Sequence, residues 1–89
     1  MPGAPAKRSL TLKGHRTSVS LEDDFWSAFR EIAKEKGMAI NELAAEIDAE
    51  RDLETGLATS IRLFVLGYYR RRAGDVVTDS QKAAWDENR

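Results

Sequence analysis

With 89 residues, 42% hydrophobic and 33% charged, and a net charge of −1, the chain has room for one small domain, near the size at which a single core is marginally stable. It holds no cysteine, so disulfides and thiolate metal sites are excluded and oligomerisation remains as the means of reinforcing the core. Residues 1–20 lack the apolar run of a signal peptide, and the run Leu63 to Leu66 is far too short to cross a bilayer, so a cytoplasmic protein with no membrane partner is expected.

Residues 1–12 read as a flexible basic arm. Pro2, Gly3 and Pro5 open it, and Lys7 and Arg8 give it charge. Leu10 and Leu12 alternate as strand residues do, but with parity opposite to Val19 and Leu21. Gly14 sits at the phase change. It marks a bulge in one long strand, or Lys13-Gly14-His15-Arg16 turns a short hairpin; the weak hairpin pair Lys13-Gly14 favours the bulge or a loose arm. From Arg16 to Leu21 the alternation is clear. Thr17, Val19 and Leu21 face one side, and Arg16, Ser18 and Ser20 face the other. No equally convincing strand follows, and an unpaired strand leaves backbone donors and acceptors unsatisfied. The same strand of a second copy, related by a two-fold axis, is the expected partner.

After Leu21 the apolar period changes to that of a helix. A first helix is expected from about Asp23 to Lys36, with Phe25, Ala28, Phe29, Ile32 and Ala33 as its buried stripe, Trp26 covering the edge, and Gly37 ending it. A second runs from about Ile40 to Arg51 on Ile40, Leu43, Ala44 and Ile47, with Ala39 where a capping hydroxyl would be expected. A third runs from about Leu57 to Arg72 and is closed by Gly74. Leu57, Ile61, Phe64, Val65 and Tyr68 form one side, while Leu63, Leu66 and Tyr69 extend the apolar surface almost all round. Burial on two sides is implied, and in so small a domain the second side needs another subunit. The domain is thus placed at residues 13–72, with a tail at 73–89 in which Thr78-Asp79-Ser80 caps a short segment through Trp85.

Charge is distributed unevenly. Residues 1–20 carry four bases and no acid, residues 21–60 carry eleven acids against four bases, and residues 61–72 add four arginines. Positive charge therefore lies on the arm and strand, and the acids lie on the helices behind. Catalytic chemistry has little to stand on. His15 is the one histidine, no nucleophile–base–orienter set exists, and the acids between Glu42 and Glu54 lack the spacing of a calcium loop. No enzyme activity, metal or cofactor is expected. A solvated helix face accounts for those acids.

Three segments carry a family resemblance: Arg16 to Leu21 (RTSVSL), Phe25 to Ala33 (FWSAFREIA) and Gly37 to Leu43 (GMAINEL). Their order resembles the ribbon-helix-helix family of Arc and MetJ repressors. The run Thr59 to Arg70 (TSIRLFVLGYYR) is similar to a bacterial subgroup with an extra C-terminal helix. The resemblance implies a mainly α fold, one N-terminal strand pairing antiparallel across a homodimer and three helices after it. It implies a dimer core of Thr17, Val19, Leu21, Phe25, Phe29, Ile40, Leu43, Ile61, Phe64 and Val65. It further implies a transcriptional regulator whose intermolecular ribbon enters the major groove of double-stranded DNA, with Arg16, Ser18 and Ser20 at base edges. Phosphates would meet Met38, Ala39 and Asn41 at the start of the second helix, and Lys7, Arg8 and Lys13 would track them from the arm. The alternative is a dimer of the same fold that binds a protein partner, antitoxin-like or otherwise, with little or no DNA binding.

Overall fold

The computed structural model describes residues 4–76. Two strands, β1 (Ala6–Leu12) and β2 (His15–Leu21), are followed by α1 (Asp23–Glu35), α2 (Ile40–Glu50) and α3 (Leu57–Val76). The expected architecture of a ribbon followed by three helices is present. Within the chain the Arg16–Leu21 strand pairs antiparallel with β1, residues expected to be arm, with Ala6 opposite Leu21 and Leu12 opposite His15.

Turn geometry explains why. Lys13 has φ 50 and Gly14 φ 85, both in the left-handed region. This is the two-residue turn whose twist matches the flanking strands. In such a hairpin opposite residues have numbers of opposite parity, so the phase change at Gly14 is what pairing requires, not a bulge. Residues 6–12, expected to be part of a loose arm, are therefore strand.

The two faces of the hairpin follow from the register. Ala6, Arg8, Leu10 and Leu12 stand opposite Leu21, Val19, Thr17 and His15 on the inner face, while Lys7, Ser9 and Thr11 stand opposite Ser20, Ser18 and Arg16 on the outer one. Leu10, Leu12, Val19 and Leu21 are buried against Trp26, Phe29, Ile32, Ala33, Leu43, Ala44, Ile47, Ile61 and Val65. Of the residues assigned to a seam between two copies, Val19, Leu21, Phe29, Leu43, Ile61 and Val65 are thus buried inside one chain, and Thr17, Phe25, Ile40 and Phe64 are half-buried. β1 and α3 supply cover for these residues within the chain. Burying one such side chain, Phe29 for example, stabilises the fold by about 1.5–3 kcal/mol.

Trp26 is central rather than peripheral. It is 1% exposed, and its indole N–H donates to the Ala6 carbonyl at 2.8 Å, tying the start of β1 to α1. The Arg8 guanidinium lies over the ring, 5.7 Å from its centroid.

Helix ends are closed in different ways. Asp23 and Asp24 occupy the first turn of α1, where negative charge favours the helix dipole. Its C-terminus closes through Gly37, φ 68, with the Met38 amide donating to the Ala33 carbonyl and the Gly37 amide to that of Lys34. α2 begins at Ala39, whose side chain cannot accept a hydrogen bond; Glu42 Oε1 instead accepts from the Ala39 amide at 2.8 Å. Arg51 fastens the loop after α2, donating to Asp48 Oδ1 at 2.7 Å and the Thr55 carbonyl at 2.9 Å. α3 continues through Gly74 to Val76, past its expected end at Arg72. The tail segment built around Trp85 lies outside the described residues.

Two latches hold α3 beside α1. At one end Arg62 donates to both Glu22 oxygens, at 2.9 and 3.2 Å. At the other, Glu35 accepts from the Tyr68 hydroxyl and from Arg72 at 2.9 and 3.0 Å. Because the start of α1 meets the start of α3 and end meets end, the helices run in the same direction.

Candidate nucleic-acid interface

The outer face of the hairpin consists of six side chains, Lys7, Ser9 and Thr11 on β1 and Arg16, Ser18 and Ser20 on β2, and none is a carboxylate. All but Ser20, which is half-buried, are exposed. Thr11 stands directly opposite Arg16, and Ser9 opposite Ser18. Lys13 projects from the turn. The strand fold thus brings together Arg16, Ser18 and Ser20, as expected, with Lys7 and Lys13 beside them. Ser9 and Thr11 complete the face. Reading residues 1–12 as an arm leaves them out, although the opposed parities of Leu10–Leu12 and Val19–Leu21 carry the signal.

Other residues expected at DNA lie off this outer face. Arg8 belongs to the inner face, where it covers the Trp26 ring. At the start of α2, Asn41 Oδ1 accepts from the Thr11 amide at 3.2 Å, so it ties β1 to α2. The Glu42 carboxylate covers the Ala39 amide. A phosphate at Met38, Ala39 and Asn41 would have to displace that carboxylate and overcome its charge.

The hairpin is held at both edges. Thr11 is fixed through Asn41 on the β1 side, and on the β2 side Arg62 Nη2 donates to the Ser20 carbonyl at 3.4 Å. Arg62 also lies over Phe25, 5.9 Å from the ring centroid. The Arg62 guanidinium holds the Glu22 carboxyl below the usual glutamate range, chiefly by hydrogen bonding. Hydrogen bonds from Tyr68 and then Arg72 do the same for Glu35, and that carboxylate in turn pushes the Tyr68 hydroxyl up. Burial is the leading cause of the upward shift of Tyr69.

Among the described residues no group of three or more His, Cys, Asp or Glu is placed to hold a metal ion. No helix there is long and apolar enough to cross a membrane. A hollow of about 350 Å³, open to solvent, lies between the end of α2 and α3, with Ile47, Arg51, Thr55, Leu63 and Phe64 among its lining.

A two-stranded ribbon with a polar, carboxylate-free outer face, carried on a helical core, defines a β-ribbon domain of the kind that DNA-binding regulators use. A family model described as the ribbon-helix-helix domain matches residues 5–69, and the chain belongs to that family. Domains of this family are typically regulatory rather than enzymatic. A search of curated proteins found no match, and neither did a search of solved structures.

Proposed function

We propose that this protein is a dimeric, DNA-binding regulator of transcription that lays the outer face of its hairpin in the major groove. The observation that carries the reading is that face itself: two cations, four hydroxyl side chains and no acid in register on a ribbon, with the acids kept on the helices behind it. The major groove is about 12 Å wide and admits a two-stranded ribbon, and paired strands lie about 4.8 Å apart. The hairpin has the width of such a ribbon. Arg16 reads guanine through two parallel hydrogen bonds, and Ser9, Thr11, Ser18 and Ser20 donate or accept at neighbouring base edges. Lys7 and Lys13 meet the phosphates on either side. The cytoplasm is the compartment in which such a regulator works.

Genome-wide recovery of bound DNA, comparing the wild type with Arg16→Ala, tests this. Discrete enriched sites that Arg16→Ala loses are the expected result. Recovery of the same sites by both proteins would remove Arg16 from the reading role.

A second reading, a protein-binding dimer with little DNA affinity, is favoured by the exposed leucines on α3 and by the acidic α2. It would be preferred if neither protein enriched any site.

A further inference from the structure

The hollow between the end of α2 and α3 has an apolar floor and an acidic rim. Ile47 from α2 and Leu63 and Phe64 from α3 make the floor, and Glu50 and Asp52 stand at its edge. Leu63 is 59% exposed, and Leu66, one turn further along α3, is 51% exposed, so apolar surface continues past the hollow. Leu53, in the loop between the helices, is 97% exposed. Among the described residues these three leucines are the exposed large apolar side chains, and all lie at or beside this one hollow.

Charge there is one-sided. Residues 46–54 hold five acids and one base, and that base, Arg51, is paired with Asp48 at 2.7 Å. The carboxylates of Glu50, Asp52 and Glu54 are exposed and have no hydrogen-bond or ion-pair partner among the described residues. Arg51 also donates to the Thr55 carbonyl at 2.9 Å. That bond fixes the loop, so the hollow is formed before anything enters it and little ordering cost is left for binding.

We infer that this groove docks a short amphipathic helix of another protein, one whose apolar anchors are flanked by lysine or arginine. The anchors fill the hollow over Ile47, Leu63 and Phe64, and the cations meet Glu50, Asp52 and Glu54. Charge selects this occupant. Nucleic acid would meet unpaired carboxylates. A second copy would have to bring cations, and two of its α3 arginines, Arg62 and Arg72, are bound to Glu22 and Glu35. A small molecule would stay largely in water, because the hollow is open to solvent. The inference is independent of the hairpin, whose outer face lies on other elements.

The test titrates the full chain against a labelled synthetic helix of about four turns, with leucines on one face and lysines along both flanks. Fluorescence anisotropy should show saturable binding, one peptide per chain. The same peptide with glutamate in place of lysine should bind about ten-fold more weakly or worse. Leu63→Glu should weaken the lysine peptide by about ten-fold or more. Glu50→Gln combined with Asp52→Asn should weaken it by about five-fold and flatten its salt dependence. All three side chains are exposed, so these variants should melt as the wild type does. Arg16→Ala should bind the peptide unchanged, which separates this result from DNA reading. Absence of saturable binding, or binding indifferent to Leu63→Glu, would overturn the inference. So would a loss of mass in Leu63→Glu without peptide, which would give the groove to a second copy.

Discussion

The hairpin and α3 flank the same core and treat solvent in opposite ways. The hairpin buries Leu10, Leu12, Val19 and Leu21 and shows water hydroxyls and cations. α3 buries Ile61 and Val65 but leaves Leu63 and Leu66 outside. A surface of hydrogen-bonding groups and positive charge suits a phosphate polymer, whose binding is electrostatic and base-directed. A surface of leucines suits another protein. On the proposed reading one small domain separates two tasks, and changes to one surface should leave the other intact.

The largest break in that separation should come from the core they share. Trp26→Ala should destabilise the chain by about 3–5 kcal/mol, measured by urea unfolding. It removes the anchor of β1 and should abolish DNA binding without altering any outward side chain. Trp26→Phe keeps the ring packing and loses only the bond to Ala6, a loss of about 1 kcal/mol.

On the hairpin side alone, Arg16→Ala should cost about 1–3 kcal/mol on a cognate site, read by titration at fixed salt, with dimer mass unchanged. Lys13→Ala should weaken all sequences alike and lower the salt slope by about one. Equal losses from Leu63→Glu at saturating protein would mean that the two surfaces are not separate.

A smaller effect tests the turn. Gly14 holds φ 85 in open space, so Gly14→Ala meets no neighbour and suffers from backbone strain alone, about 1 kcal/mol. Lys13→Asn places a residue that tolerates the left-handed region and should gain about 0.5 kcal/mol. Thermal melts of the two variants should therefore move in opposite directions.

The latches give a pH dependence. Glu22 and Glu35 titrate lower in the folded chain than they would unfolded, so the folded state binds fewer protons through that window. Their contribution is complete above the ordinary glutamate range and is lost as pH falls through the lowered folded values. Glu22→Gln should make urea midpoints less sensitive to acid. An unchanged acid response would show that the Arg62 contact contributes little, as exposed pairs often do.

Much of the fold was legible in the residues. Phe29, Ile32, Leu43 and Ile47 marked their helix faces, and Gly37 marked an end. The hairpin was the less favoured of two readings, because Lys13-Gly14 carries no strong turn signal and only the backbone shows Lys13 in the left-handed region. Trp26 was placed at the edge because the helical stripe alone does not reveal that β1 folds over it. At the candidate site, Arg16, Ser18 and Ser20 were identified by alternation, whereas Ser9 and Thr11 depended on knowing the hairpin. The roles of Asn41 and Glu42 depend on contacts outside and within α2 that spacing leaves open. α3 was expected to be covered on its second side by another subunit, and in the single chain Leu63 and Leu66 are exposed there.

The most direct measurement of the central claim is amide shift mapping of the full chain as a recovered duplex is added. Shifts centred on Lys7, Ser9, Thr11, Lys13, Arg16 and Ser18, with Leu63 and Leu66 unmoved, are the expected result. Shifts centred on α2 and α3 with a silent hairpin would contradict it.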